Sequence, residues 1–100
     1  SHKKKDEDVN KIVNKLNTIQ RDKKEGEIQE LLTNVLAQKI YSNNNENVLY
    51  SLKNGLITTD KTPAGYQNTA KLYKITALGS EILSKLSDNY VHGMKQEKAR

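Results

Sequence analysis

The sequence predicts a small α+β domain, mostly helical, in which three helices are followed by a β-hairpin and a fourth helix. Three observations predict it. Apolar residues recur at helical spacing in four stretches, and β-branched residues flank a turn containing Pro63 and Gly65. Asn54-Gly55 and Thr76 then punctuate the chain as a helix stop and a helix start.

Val9, Ile12, Val13, Leu16 and Ile19 fall at i, i+3, i+4, i+7 and i+10, one apolar stripe on a helix over about 6–20 that Asp6 or Asp8 can cap. Arg21-Asp22-Lys23-Lys24-Glu25-Gly26 has no apolar residue and reads as a solvated connection. Ile28, Leu31, Leu32, Val35, Leu36 and Ile40 form the stripe of a second helix, ended by Tyr41-Ser42-Asn43-Asn44-Asn45, residues that favour caps and turns. A third, short helix starts near Asn44, buries Val48, Leu49 and Leu52, and stops at Asn54-Gly55. Residues 56–59 and 69–75 read as antiparallel strands. Thr76 caps the fourth helix, with Leu78, Ile82, Leu83 and Leu86 inside and Glu81 outside. Tyr90, Val91 and Met94 extend a weaker stripe toward Gly93.

Composition bounds the remaining possibilities. In 100 residues, 34% are apolar, or 39% with the five glycines, below the roughly 45–50% of an ordinary globular domain, so the private core is thin. Leu, Ile, Val and Phe together number 23, just above the roughly 20% below which disorder is expected. The absence of Cys excludes a disulfide framework, a thiolate zinc site and a cysteine nucleophile, and it suits a cytoplasmic setting. No apolar run approaches the roughly 20 residues of a membrane span, so no membrane partner is expected. Ser1-His2, with no Met before them, read as a tag remnant; 1–5 form a basic arm, 6–94 the domain and 95–100 a polar tail. His92 has no nucleophile or paired acid at suggestive spacing, and neither a phosphate loop nor a metal-ligand cluster occurs. We expect no enzyme, no metal and no cofactor.

Three helices closed by a β-hairpin are the arrangement of a winged helix-turn-helix. Leu49-Tyr50-Ser51-Leu52-Lys53-Asn54-Gly55-Leu56-Ile57 resembles the end of the recognition helix and the Gly-Leu-Ile start of the wing in that superfamily. Leu72-Tyr73-Lys74-Ile75-Thr76-Ala77-Leu78-Gly79-Ser80-Glu81-Ile82-Leu83 resembles the Tyr-x-Leu-Thr-x-x-Gly-x-x-Leu segment that leaves the wing in the MarR, PadR and archaeal ten-kilodalton chromatin-protein groups. The resemblance spans about 31–86. It departs from the pattern where the turn before the third helix lacks its glycine, near Tyr41, and where the third helix is shorter than usual. Gly79, inside a helix, implies close approach by another element.

Such a resemblance implies double-stranded DNA as partner. With Val48, Leu49 and Leu52 buried, the opposite face of the third helix carries Asn43, Asn47, Tyr50 and Asn54, with Asn44, Glu46, Ser51 and Lys53 beside them. That face is a candidate for the major groove, where Asn pairs with adenine and Tyr or Ser bonds phosphate or base edges; a solvated polar face is the plainer alternative. The formal net charge is +5, but residues 27–60 carry two basic and four acidic groups, so the reading head itself is slightly acidic. Phosphate contacts then fall to Lys39, Lys53, Lys61 and Lys71, with Lys3, Lys4 and Lys5 as further contacts or a solubilising arm. Tyr66, Gln67 and Asn68 stand near the wing tip, ready for backbone or minor groove, or merely solvated.

Val9, Ile12, Val13, Leu16 and Ile19, with Tyr90, Val91 and Met94, read as a homodimer interface, the families of the resemblance pairing through terminal helices; intrachain packing of the first helix is the alternative. The expected role is that of a nucleoid-associated transcriptional regulator, or of a factor organising or partitioning a small replicon such as a plasmid. A winged-helix module that binds a protein partner and no DNA is the competing class, favoured by the acidic balance of 27–60.

Overall fold

The computed structural model describes the backbone of residues 2–62, 64–65 and 69–99, and the side chains of residues 8–62, 64–65 and 69–88. The expected contacts of Tyr66, Gln67 and Asn68, the turn role of Pro63, and the side chains of Lys3, Lys4, Lys5, Tyr90, Val91 and Met94 lie outside the described residues.

Among the described residues, four helices and four short strands follow in the order α1 (His2–Arg21), α2 (Glu25–Leu36), β1 (Tyr41–Ser42), α3 (Glu46–Lys53), β2 (Ile57–Thr59), β3 (Ala70–Lys71), β4 (Tyr73–Ile75) and α4 (Ala77–Ala99). The α+β class and the three-helix, hairpin, helix order agree with the periodicity. Two boundaries do not. Residues 2–5 are helical, and α4 runs through Gly93 to Ala99; the first segment is rich in Lys and the last in Lys, Gln and Glu, which support helix without needing an apolar stripe.

The core gathers one face from each element: Ile19 of α1, Ile28, Leu31, Leu32 and Val35 of α2, Val48 of α3, Leu56, Ile57, Tyr73, and Ile82 and Leu86 of α4. Ile12, Leu16, Leu52, Ile75, Leu78 and Leu83 pack against this cluster from its edges. The inner positions foreseen for α4 are therefore the observed ones, with Glu81 exposed. The second stripe is cut short, because α2 ends at Leu36 and leaves Leu36 and Ile40 exposed.

All three helix ends before the hairpin use the same device. A residue with positive φ lets two amides turn back to the last free carbonyls. After α1, Lys23 (φ 57) and Lys24 donate to Gln20 O and Ile19 O; after α2, Gln38 (φ 60) and Lys39 donate to Val35 O and Asn34 O. After α3, Gly55 (φ 73) and Leu56 donate to Leu52 O and Ser51 O. Only at Gly55 does the residue accept that conformation without strain.

The hairpin pairs Ile57 with Ile75, Thr58 with Lys74 and Thr59 with Tyr73. Two further bonds, from Asp60 N–H to Leu72 O (3.0 Å) and from Leu72 N–H to Lys61 O (2.8 Å), carry the pairing past the strand ends. On the other side of Leu72 the returning chain has a different partner: Lys71 and Ala70 face Tyr41 and Ser42 of β1, and Asn43 N–H reaches Thr69 O at 3.1 Å. β1, where the residue types suggest only a turn, thus ties the α2–α3 connection to the hairpin. Tyr41 is fixed from the other side by Asn34 Nδ2, which donates to its hydroxyl at 2.8 Å.

Thr76 joins hairpin to α4. Its hydroxyl accepts from Gly79 N–H (3.0 Å) as the helix cap and donates to Gly55 O (2.6 Å), while its own N–H donates to Leu56 O (3.0 Å). Gly79 lies directly over the same carbonyl: a Cβ there would collide with Leu56 O and stand 2.9 Å from Ile75 Cγ1. The close approach implied by a mid-helix glycine is therefore α4 seated on the base of the hairpin.

Candidate nucleic-acid interface

The short helix α3 is built from its cap outward. Asn45 Oδ1 accepts from the N–H groups of Asn47 (2.9 Å) and Val48 (3.1 Å), so the helix proper begins at Glu46. Asn43, expected as the first residue of a reading face, lies before the helix with its backbone in the β1 ladder. Asn44 is exposed in the turn, its N–H donating to Ser42 Oγ at 3.2 Å.

The rotation of α3 about its axis differs from the expected one. Val48 and Ser51 are completely buried and Leu52 is half-buried, whereas Leu49 is 50% exposed. Ser51 therefore faces the core and cannot touch a ligand, and its Oγ meets no hydrogen-bond partner among the described residues. Leu49 takes the place in solvent that the hydrophobic pattern assigned to polar residues.

The physical reason lies in the connection between α1 and α2, which its composition marks as merely solvated. Tyr50 donates its hydroxyl to Asp22 Oδ2 at 2.7 Å. Lys24 donates to Asn47 Oδ1 at 3.1 Å, lies 5.4 Å from the centre of the Tyr50 ring, and approaches Glu27 (3.3 Å) and Glu46 (3.7 Å). Lys15 donates to Asn54 Oδ1 at 3.0 Å, and Asn54 Nδ2 donates to Tyr50 O at 2.9 Å. Asn47, Tyr50 and Asn54 do share a face, as predicted, but that face is half-buried against α1 and the α1–α2 turn. They brace the helix. Burial, reinforced by the Asp22 carboxylate, pushes the Tyr50 phenol up to about 12; burial alone raises that of Tyr73.

What α3 presents to solvent is Glu46, Leu49 and Lys53, at i, i+3 and i+7. Lys39 and Lys61 are exposed, Lys71 is half-buried in β3, and Lys74 is paired with Asp60 at 3.7 Å. Of the basic residues named from sequence, Lys39 lies between α2 and β1, Lys61 follows β2 on the hairpin, and Lys71 sits in β3.

The stripe on α1 divides. Ile19 is fully buried in the core, which corrects its assignment to a surface between chains, and Ile12 and Leu16, half-buried, pack against that core from its edge. Val9 and Val13 stay 54% and 45% exposed. Val9 and Ile12 line a groove with Asp8 and Lys11 of α1 and with Ala77, Leu78 and Glu81 of α4.

No protein-family model matches the chain, and no curated protein or solved structure matches it. Among the described residues no helix is long and apolar enough to cross a membrane, and no group of three His, Cys, Asp or Glu side chains converges.

Proposed function

We propose that the chain is a winged helix-turn-helix protein that binds double-stranded DNA, acting as a transcriptional regulator or as a partition or organising factor of a small replicon in the nucleoid. The observation that carries this reading is the hairpin. Its returning chain pairs with β2 through β4 and, through β3, with β1, the strand just before α3; it carries Lys71, with Lys61 on the outgoing side. This pairing supports reading the hairpin as a wing and α3 as the reading helix. Phosphate neutralisation by Lys39, Lys53, Lys61 and Lys71 supplies affinity, and the outward face of α3 enters the major groove. Val9 and Val13 on α1 leave an apolar strip for a second copy, which would set two such surfaces on one side of the duplex.

The test is an anisotropy titration with random-sequence duplex at several salt concentrations. Binding should weaken steeply with salt, and Lys61→Glu or Lys71→Glu should weaken it for every sequence, each lowering the salt slope by about one as a phosphate loses its lysine. Absence of binding at low salt would reject the reading. A protein-binding module without DNA affinity is the second reading, favoured by Leu36, Ile40 and Leu49, three large apolar side chains exposed in the acidic middle of the chain.

A further inference from the structure

We infer that Leu49 is the specificity-determining residue of the surface, and that it recognises the 5-methyl group of a thymine in the major groove. The inference rests on the DNA-binding reading above and adds to it the base feature that is read. Its starting point is an inversion on α3: Leu49 is 50% exposed while Ser51, two residues on and so on the opposite side of the helix, is fully buried without a partner for its hydroxyl among the described residues. Taken by themselves, these two side chains would be more stable the other way round, apolar in and polar out. A local rule broken in this manner, with the helix held in that rotation by contacts from Lys15, Asp22 and Lys24, marks a position kept for use outside the fold.

The other residues of the helix narrow the kind of use. Asn47, Tyr50 and Asn54, whose amide and phenol groups would read base edges by hydrogen bonding, are engaged with α1 and the α1–α2 turn. The outward face keeps an acceptor, a branched aliphatic group and a cation: Glu46, Leu49 and Lys53. Lys53, in the last turn, suits phosphate. Leu49, in the middle, can make only an apolar contact, and the thymine methyl is the one apolar group that base pairs display in the major groove.

The experiment first selects preferred duplexes from a random pool with the wild-type chain. The thymines of a selected duplex are then replaced by deoxyuridine, which removes only the 5-methyl groups, and both duplexes are titrated at one salt concentration. The wild type should bind the uracil duplex about fourfold more weakly, the worth of one buried methyl-sized group. Leu49→Ala should bind the thymine and uracil duplexes equally, and Leu49→Met should restore part of the discrimination. Binding of thymine and uracil duplexes alike by the wild type, selected sites that lack thymine, or full discrimination by Leu49→Ala would overturn the assignment while leaving DNA binding in place. Failure to bind any duplex at low salt would overturn both.

Discussion

Replacing Gly79 by Ala should separate α4 from the hairpin. In most helices this change stabilises by about 1 kcal/mol, because Ala loses less backbone entropy than Gly on folding. Here the added methyl collides with Leu56 O and stands 2.9 Å from both Leu56 C and Ile75 Cγ1. Leu56 O belongs to the backbone and already accepts Thr76 N–H at 3.0 Å, so no side-chain rotation relieves the clash. Either α4 lifts or the chain after α3 shifts, and both pull on the Thr76 bonds to Gly55 and Leu56. Overpacking of this kind costs about 1–3 kcal/mol, and loss of a hydrogen bond adds about 1. Set against the helix gain, the net loss is about 1–3 kcal/mol, or roughly a 4–24 °C fall in Tm for a domain of this size. Thermal and urea unfolding followed by circular dichroism measure it. Gly26→Ala is the matched control: that glycine also lies in a helix but has nothing within 4 Å of its added Cβ, so the change should be neutral or stabilising. A Gly79→Ala protein as stable as the wild type would refute the seating of α4 on Leu56.

The other expectations concern single groups. Gln38→Gly should raise stability by about 0.5–1 kcal/mol in urea unfolding, since it relieves a side chain held at φ 60 after α2. Ser51→Ala should stabilise by about 1 kcal/mol in the same assay, removing a buried hydroxyl that has no partner among the described residues and improving helix propensity. The Tyr50 phenol, pushed up to about 12 by burial and by Asp22, is protonated more tightly in the folded state than at its ordinary value of 10.0, so its contribution to stability is intact below pH 10 and is lost as pH rises toward 12. Spectrophotometric titration should show a tyrosine ionising near pH 12 that is absent in Tyr50→Phe and shifts down in Asp22→Asn, while Tyr73, also raised by burial, remains in both variants.

The sequence speaks clearly where structure depends on neighbours along the chain. The inner faces of α2 and α4, the left-handed Gly55, the Thr76 cap and the tight contact at Gly79 are all local patterns with one physical meaning each. The helix ends at Lys23 and Gln38 carry no such mark, because neither residue type favours positive φ; tertiary placement imposes it. β1 is equally silent: two residues, one of them serine, become a strand only because 70–71 lie alongside. The candidate interface was legible in its location but not in its facing. Asn47, Tyr50 and Asn54 do share a helix side, yet their partners stand 23, 28 and 39 residues away in sequence, beyond the reach of any periodicity.

Magnitudes explain why those distant partners prevail. Turning α3 to hide Leu49 would remove from water the half of the side chain still exposed, worth about 1 kcal/mol when full burial of a leucine is worth about 1.5–3. The same turn would carry Tyr50 away from Asp22, Asn47 from Lys24 and Asn54 from Lys15. Each of these bonds is worth about 0.5–1.5 kcal/mol, less where solvent screens the charge, and Tyr50 also lends its ring to the edge of the core. Three modest polar contacts together thus outweigh one half-buried leucine, and they do so only as a set. Loosening any one of them narrows the margin that keeps Leu49 outside, so the α1–α2 turn governs what the interface displays without being part of it.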